Sequence, residues 1–420
     1  MKNVNQYVMK DSGVQWIGQV PEHWIGYRMQ YITRLEKGKM PQELTSTGGD
    51  APYLTMDLLR NRETIVTYPV NTKGLVCVED NDLLLLWDGA NAGEILQAKR
   101  GYLGSTMAII HYSKEIIESK FAFYFFKALE RRFKEDANGT TIPHFNRASL
   151  NSCKYFLPPT LSEQRAIADW LDAKCADIDA AIELQQRMID KLKAYKTAVI
   201  HQAVTKGLDK NANLKDSGVQ WIGEVPEHWE VCKIKQIFKE RSEKGYPELP
   251  VLSATQKYGV IPQSHYENSV VLVNKGLENL KLVRKGDFVI SLRSFQGGIE
   301  YAHYDGIISA AYTILKLKGN CADYIRLVMK SERFIQLLQS CTVGIREGKN
   351  VNYNIVRDNY IFLPPLAEQR AIADWLDAKC ADIDATIALK EQKQEKLKAY
   401  KKTIIFEYVT GKKQVANINK

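Results

Sequence analysis

Glu347, Gly348 and Lys349 come nearest to a catalytic pattern in this chain. Glu-x-Lys is half of a metal-dependent nuclease site, and with Gly344 the segment superficially matches a phosphate-binding loop. Only three residues separate the two glycines, and Asn350 stands where such a loop needs Ser or Thr. Because no Asp lies close upstream, we interpret the segment as a polar loop rather than a nuclease or phosphate site.

The remaining catalytic candidates are also incomplete. The Pro-Pro pairs at 158–159 and 364–365 follow leucines, whereas an adenine methyltransferase loop needs Asn or Asp there. No Gly-rich cofactor loop follows a predicted strand. The Asp-x-Asp pairs at 177–179 and 382–384 fall on predicted helices, where solvent exposure is the simpler interpretation. His23 and His228 lie beside tryptophans and are interpreted as packing residues.

The composition is that of an ordinary globular protein. The chain has 420 residues, 45% of them hydrophobic and 25% charged, which excludes a disordered or collagen-like protein. No apolar run is long enough to span a bilayer, and no secretory signal is visible. Seven cysteines without Cys-x-x-Cys spacing indicate reduced thiols and a cytoplasmic location. The net charge of +9 fits a polyanionic partner without proving one.

A 205-residue internal repeat organises the chain. Residues 10–24 recur at 215–229 with one difference, and residues 163–182 recur at 368–387 with one difference. The intervening segments differ almost completely. Two nearly identical frames therefore carry different inserts, which indicates one shared mechanical role and two separate recognition roles.

Each insert is followed by a predicted long helix. The first runs from Glu163 to Val204, with Ser162 as a plausible N-cap, and the second runs from Glu368 to about Thr410, where Gly411 ends it. Apolar residues recur at heptad-like spacing, and about 42 residues give a rod of roughly 60 Å. We expect the two helices to pair antiparallel, with a second partner covering the remaining apolar surface.

The inserts have the pattern of mixed α/β domains. The predicted fold is therefore two globular α/β domains separated by two long helices that form an antiparallel coiled coil with pseudo-two-fold duplication. The predicted strands are 82–87, 107–112, 270–273, 288–292 and 312–317, and the predicted helices within the inserts are 119–133 and 323–338.

The two repeated motifs resemble those of the specificity subunits of type I restriction–modification enzymes. They are D-S-G-V-x-W-I-G-x-V-P-E-H-W and F-L-P-P followed by E-Q-R-A-I-A and the L-D and I-D pairs. The resemblance implies target recognition domains at 1–157 and 209–363, helical spacers at 158–208 and 364–411, and a tail at 412–420. It also implies a non-catalytic subunit that reads a bipartite, asymmetric double-stranded DNA site.

The partners follow from the same resemblance. The spacers would set the distance between half-sites and dock two methyltransferase subunits, and motor–endonuclease subunits would join for restriction. S-adenosylmethionine, ATP and Mg²⁺ would bind those partners, so no cofactor or metal is expected on this chain.

Candidate contact residues fall into two groups. For DNA we predict polar loop residues of both inserts, since Lys and Arg suit phosphates and Arg, Asn and Gln suit base edges. For partner docking we predict the apolar residues of the repeated helix segments. The DNA set is Lys37, Lys39, Lys99, Arg100, Thr140, Thr141, His144, Asn146, Arg147, Arg293, Gln296, Arg346, Lys349, Asn350, Asn352 and Asn354. The docking set is Trp170, Leu171, Ile178, Ile182, Trp375, Leu376, Ile383 and Ile387.

Simpler interpretations stay open at this stage. The polar residues could be ordinary solvated loops, and the apolar set could only close the helix pair. A coiled-coil scaffold that binds proteins without DNA, and a self-contained enzyme with an unrecognised site, are the competing functions.

Overall fold

The computed structural model of the chain describes residues 8–62, 65–137, 143–151, 154–265, 276–343 and 350–415. They form two compact units. Unit 1 comprises Met1–Gln185 with Gln392–Lys420, and unit 2 comprises Gln186–Glu391. Each unit therefore contains one part of each long helix.

Unit 1 is a mixed α/β unit. Its strands are β1 (Met9–Asp11), β2 (Gln19–Pro21), β3 (Ile25–Arg28), β4 (Thr33–Lys37), β5 (Leu44–Thr45), β6 (Tyr53–Leu54), β7 (Tyr68–Pro69), β8 (Cys77–Val78), β9 (Leu83–Leu86), β10 (Ile95–Gln97), β11 (Gly101–Leu103), β12 (Met107–Tyr112) and β13 (Lys154–Leu157). Its helices are α1 (Met29–Ile32), α2 (Met56–Leu59), α3 (Ser119–Glu135), α4 (Arg147–Asn151) and the start of α5 (Leu161–Lys206).

A four-stranded antiparallel sheet, in the order β10-β9-β12-β4, forms the centre of unit 1. Leu83 and Leu85 join the apolar cluster that includes α3, whereas Leu84 and Leu86 join the cluster on the other face. Side chains alternate between the faces of a strand, so a run of four leucines needs both faces covered. This explains why β9 is apolar throughout.

Unit 2 repeats this organisation. Its strands are β14 (Leu214–Asp216), β15 (Glu224–Pro226), β16 (Glu230–Lys233), β17 (Phe238–Arg241), β18 (Leu252–Thr255), β19 (Gly259–Pro262), β20 (Lys281–Val283), β21 (Asp287–Ile290), β22 (Glu300–Tyr301), β23 (Gly306–Ile308), β24 (Thr313–Leu317), β25 (Thr342–Val343), β26 (Asn350–Val351) and β27 (Tyr360–Leu363). Its helices are α6 (Ile234–Ile237), α7 (Ser294–Gly297), α8 (Ala322–Met329), α9 (Glu332–Ser340), α10 (Tyr353–Val356) and α11 (Leu366–Val409). The central sheet has the order β17-β24-β21-β22 and is antiparallel.

The predicted elements are largely found, with one correction. The helix predicted over 323–338 is two helices, α8 and α9, because the chain turns at Lys330 and Ser331. Ser331 has extended backbone angles (φ −69°, ψ 147°) as the N-cap residue of α9, and the Lys330 ammonium donates to the Gly297 carbonyl at 2.9 Å. The Ser331 hydroxyl donates to the Val328 carbonyl at 2.7 Å and does not cap α9, so the extended backbone of Ser331 separates the two helices. The strand predicted over 270–273 lies outside the described residues.

Helix α5 extends two residues beyond the predicted bounds at each end, whereas α11 begins two residues before its predicted start and ends at Val409. Thr160 rather than Ser162 caps α5, since its hydroxyl accepts from the Glu163 amide at 3.2 Å. The repeat places proline at the equivalent position of α11, so this cap is not shared. Gly411 follows α11 with a φ of +74°, a conformation that favours glycine after a helix.

The two repeated motifs contact each other inside each unit. In unit 1 the buried Trp24 indole donates to the Glu163 carboxylate at 3.2 Å. In unit 2 the buried Trp229 indole donates to Glu368 at 3.1 Å. These hydrogen bonds therefore connect the start of each long helix to the first repeated segment of the same unit.

The histidines beside these tryptophans are partly exposed and paired, which corrects their interpretation as packing residues. His23 Nε2 lies 3.1 Å from Glu163, with 42% of the side chain exposed. His228 Nε2 lies 2.7 Å from Glu368, with 53% exposed. Their polar contacts extend the same motif junction.

A buried glutamine completes the junction. The Gln164 side-chain carbonyl accepts from the amide of Glu118, the N-cap residue of α3, at 2.8 Å. Gln369 accepts from the amide of Cys321, the N-cap residue of α8, at 2.9 Å. The repeated Glu-Gln pair thus holds equivalent elements of two inserts whose sequences differ.

Within each unit the parts of the two long helices pair antiparallel. In unit 1 the Lys401 ammonium contacts Asp179 at 2.6 Å, and in unit 2 Lys196 contacts Asp384 at 2.6 Å. These two ion pairs are equivalent under the 205-residue offset. The Asp-x-Asp pairs are thus partly engaged in helix pairing.

Candidate nucleic-acid interface and docking surface

A charged and aromatic cluster lies at one end of the central sheet of unit 1. The buried strand β9 delivers Trp87 and Asp88 to this end, and β4 delivers Lys37. Residues 144 and 145 pair with Trp87 and Asp88 through the backbone. The Phe145 amide donates to the Trp87 carbonyl at 2.8 Å, and His144 forms an antiparallel β-bridge with Asp88. We call Lys37, Trp87, Asp88 and His144 the Asp88 cluster.

Asp88 joins the other two polar side chains of this cluster. Its carboxylate lies 2.8 Å from the Lys37 ammonium and 2.6 Å from His144 Nδ1. Burial by itself would raise the pKa of Asp88, but the hydrogen bonds from Lys37 and His144 outweigh burial and hold it below its ordinary value. Asp88 is therefore ionised at neutral pH.

Aromatic packing supports the exposed side chains. The Lys37 ammonium lies 5.5 Å from the centre of the Trp87 ring, within the range of a cation–π contact. Trp87 packs edge-on against Phe145, which packs against Phe133 of α3. Lys37 and His144 are 43% and 55% exposed. The cluster thus presents the Lys37 ammonium and the His144 ring to solvent from an aromatic base.

The other predicted DNA residues of unit 1 are distributed differently. Lys39 is exposed just beyond β4, while Lys99 and Arg100 lie on a separate turn where Arg100 is 3.8 Å from Glu79. Asn146 caps α4, since its side chain accepts from the Ala148 amide, and Arg147 is exposed at the start of that helix. Thr140 and Thr141 lie outside the described residues.

Unit 2 presents a different set at the equivalent end of its sheet. The chain leaves β21 and forms the short helix α7, on which Arg293, as N-cap, and Gln296 are exposed. Helix α7 contacts β26, which begins with the exposed Asn350. The structure therefore brings these three predicted residues to neighbouring elements.

The remaining predicted DNA residues of unit 2 are a helix cap, an exposed residue and two residues outside the described ranges. Asn352 caps α10 by accepting from the Asn354 amide at 3.0 Å, and Asn354 itself is exposed. Asn146 and Asn352 are thus equivalent helix caps, which leaves less of each amide for an external ligand. Arg346 and Lys349 lie outside the described residues.

Sequence reasoning missed the residues that organise these two ends. Neither Asp88, which directly follows the predicted strand 82–87, nor the buried Glu300, which pairs with Lys330 at 2.6 Å beside α7, was among the predicted residues. Burial raises the pKa of Glu300, although Lys330 opposes this. A polar residue directly after an apolar strand was the available signal for Asp88, and Glu300 had no comparable one.

The predicted docking residues mostly face inward. Within their own units Leu171, Ile178, Leu376, Ile383 and Ile387 are buried, and Trp170 and Ile182 are half-buried. Trp375 is 42% exposed.

A second row, which we call the outer stripe, follows the other face of each helix at spacings of four and three residues, so its members share one face. On α5 it consists of Ala166, Trp170, Ala173, Asp177, Ala180 and Leu184, and on α11 of Ala371, Trp375, Ala378, Asp382, Ala385 and Leu389.

The described part of the chain holds no group of His, Cys, Asp or Glu that could bind a metal ion. Comparison with known families gives two matches, at residues 21–194 and 226–399, to the type I restriction modification DNA specificity domain. The chain belongs to the type I specificity subunit family.

Relatives of this specificity subunit match along most of their length. The MjaVIII specificity subunit of Methanocaldococcus jannaschii is 29% identical, with 96% of this chain and 95% of the relative covered. The EcoBI specificity subunit of Escherichia coli is 38% identical, with 89% and 83% covered.

Solved structures share the fold. A chain from a structure addressing complex assembly and conformational transition of the type I R-M system superposes with a TM-score of 0.65 at 13% identity, covering 93% of this chain and 98% of that one. The HsdS subunit of Thermoanaerobacter tengcongensis gives a TM-score of 0.50 at 15% identity, with the same coverage. Among the described residues of this specificity subunit, no helix is long and apolar enough to cross a membrane.

Proposed function

We propose that this chain is the non-catalytic, DNA-reading subunit of a type I restriction–modification complex. Its recognition domains, 1–157 and 209–363, each read one half of a bipartite, asymmetric DNA site. The observation that carries the proposal is a common sheet scaffold whose equivalent ends hold different polar residues. One scaffold with two surfaces suits two half-sites of different sequence.

The chemistry of the two ends suits DNA in different ways. In the first domain, Lys37 and Lys39 offer donors for phosphates or base edges, and the exposed His144 ring can contact either. In the second domain, Arg293 and Gln296 offer side chains that can form paired hydrogen bonds with guanine and adenine.

The helices support a spacer role. Helix α5 has 46 residues, which gives about 69 Å at 1.5 Å per residue. One turn of DNA spans about 34 Å. A continuous helix of this length can set the distance between two readers on successive turns, and its outer stripe is available for a methyltransferase subunit.

The direct test is a genome-wide map of N6-methyladenine in cells that express this chain with its co-encoded methyltransferase subunit. We expect a bipartite, asymmetric motif that disappears when this chain is omitted. A methylation map that does not depend on the chain would contradict the proposal. Such a map, together with protein binding that ignores salt, would favour a scaffold without DNA contacts, because phosphate contacts make binding strongly salt dependent.

An insertion tests the spacer role. Four residues, about one helical turn, would be added after Gln186 of α5 and after the equivalent Glu391 of α11. We expect a changed spacer with both half-sites retained. The matched control inserts four residues at Gly48–Gly49, an exposed turn, and should leave the spacer unchanged. Altered half-site bases with an unchanged spacer would refute this role.

A further inference from the structure

We infer that the two docking segments are unequal, and that a methyltransferase subunit binds the α11 outer stripe of unit 2 more tightly than the α5 outer stripe of unit 1. This inference rests on the proposed docking function. It concerns the order and strength of the two binding steps, which the near-identity of the repeated segments would not by itself suggest.

The two stripes have the same residues in the same order. Each reads Ala, Trp, Ala, Asp, Ala, Leu, and the members recur 205 residues apart. A protein that recognises one stripe therefore finds the same side chains on the other. Any difference in affinity must come from what surrounds them.

The tryptophans have different surroundings. In unit 1 the Trp170 ring stacks on Tyr408 of α11, with centroids 3.9 Å apart and planes 26° apart. The position equivalent to Tyr408 in unit 2 is Ala203, a small residue buried in the core. Trp375 is left 42% exposed, whereas Trp170 is half-buried. Tyr408 thus covers the Trp170 ring of the α5 outer stripe, whereas the small side chain of Ala203 cannot cover Trp375 in the same way.

The chemistry of the stripe favours a protein partner over DNA. Asp382 belongs to the stripe and Asp374 is exposed next to Trp375. Carboxylates here would repel phosphates. Alanines at 371, 378 and 385 leave room for a partner's backbone to approach. The surface fits an apolar ridge with basic residues at its margins, which we assign to the methyltransferase subunit because the stripe occurs twice.

The expected difference in affinity between the two stripes follows from how much of each tryptophan a partner can still bury. Trp is enriched among the residues whose truncation costs an interface at least about 2 kcal/mol, equivalent to about 30-fold in affinity. Trp375 can bury its exposed part against a partner. Trp170 has already buried one face against Tyr408, so it gains less on binding.

The experiment titrates purified methyltransferase subunit into the purified chain and follows the one-to-one and two-to-one complexes by native mass spectrometry. We expect two unequal dissociation constants. Trp375→Ala should weaken the tighter step about 30-fold, whereas Trp170→Ala should leave that step unchanged. Tyr258→Ala removes another exposed aromatic side chain of unit 2 and should change neither step.

A further variant tests the cause. Tyr408→Ala exposes Trp170 and should bring the two dissociation constants closer together. If this variant does not fold, Trp375→Ala at its exposed position still decides the question. Two equal constants, or a tighter step that depends on Trp170, would overturn this inference alone. Absence of any complex would overturn the docking function and the inference together.

Discussion

Units 1 and 2 share the strand order of their central sheets but differ in the residues at the end of the sheet. Reading from one edge, β10-β9-β12-β4 in unit 1 matches β22-β21-β24-β17 in unit 2, although the inserts share little sequence. In both sheets the second strand is buried on both faces. The residues after that strand differ: Trp87 and Asp88 follow β9 in unit 1, and the short helix α7 follows β21 in unit 2. The fold therefore depends on a central strand that is buried on both faces, and the residues after that strand are free to vary.

One strand position makes this contrast concrete. Glu36 pairs with Ile109 opposite Leu84, and Arg241 pairs with Ile314 opposite Val289, so Glu36 and Arg241 occupy equivalent places. The Glu36 side chain is 40% exposed and contacts Arg34 and His111, whereas Arg241 is 14% exposed and bound to Asp287, which is 3% exposed. The same position therefore serves a surface in unit 1 and a buried ion pair in unit 2.

The largest effect is expected from a substitution that breaks the buried ion pair between Arg241 and Asp287. Arg241→Ala leaves Asp287 without its cation, which should cost unit 2 about 3 kcal/mol of unfolding free energy. Lys37→Ala, at the exposed end of the matching strand β4, should change stability by less than about 0.5 kcal/mol. Hydrogen exchange measured separately for peptides of the two units checks this. Equal destabilisation by both substitutions would contradict the assignment of different roles.

The same Lys37→Ala variant should act on DNA binding instead. If Lys37 contacts a phosphate, its loss should weaken binding on all sequences alike and reduce the slope of log affinity against log salt by about one. The methyltransferase complex would be titrated with duplex DNA at several salt concentrations. An unchanged slope would remove Lys37 from the interface.

The next effect should be the same in both units. Gln164→Leu and Gln369→Leu each remove a buried side chain that bonds the N-cap residue of a domain helix. Leaving these backbone groups unpaired should cost about 2 kcal/mol in each unit. Gln202→Leu, on the exposed face of α5, is the matched control. A cost in only one unit would show that the two junctions are not mechanically equivalent.

A smaller effect concerns the paired helices. Asp179–Lys401 and Asp384–Lys196 are partly exposed, so each should contribute no more than about 1 kcal/mol, and less at high salt. Asp179→Lys should destabilise unit 1, and adding Lys401→Asp should restore much of the loss. Thermal unfolding at two salt concentrations measures both. Failure of the double exchange to restore stability would argue against pairing as the cause.

The smallest effect depends on pH. His201 in α5 has Phe406 as its counterpart in α11. Burial lowers the pKa of His201, with Arg333 and Lys206 adding to the effect and Glu332 opposing it. The unfolded chain then binds a proton more readily, so this contribution to stability is present above about pH 6.5 and falls below it. His201→Phe should reduce the acid sensitivity of unit 2 by a few tenths of a kcal/mol. Identical melting profiles at pH 7.5 and 5.5 for both proteins would contradict this.

Much of the scaffold could be predicted from sequence because its signals are local. The strand over 107–112 and both long helices follow from apolar runs and helical periodicity. The break at Ser331 was missed because apolar periodicity continues across it, while the extended backbone of Ser331 separates α8 from α9.

The candidate site was less accessible, since it depends on contacts between distant residues. Lys37 and His144 were selected for their chemistry, but the carboxylate that joins them could not be assigned without the pairing of Trp87 with Phe145. The buried and outer stripes of the long helices were also not separated. The Asp-rich first half and Lys-rich second half of each helix, which favour antiparallel pairing, were an unused signal.

The central claim is that the two units read DNA independently. The most direct measurement maps N6-methyladenine for two variants of the chain, Lys37→Ala with His144→Ala, and Arg293→Ala with Gln296→Ala, each expressed with the methyltransferase subunit. We expect each pair of substitutions to relax one half-site and to leave the other half-site and the spacer unchanged. Relaxation of both half-sites by either pair, or an unchanged motif in both variants, would contradict it.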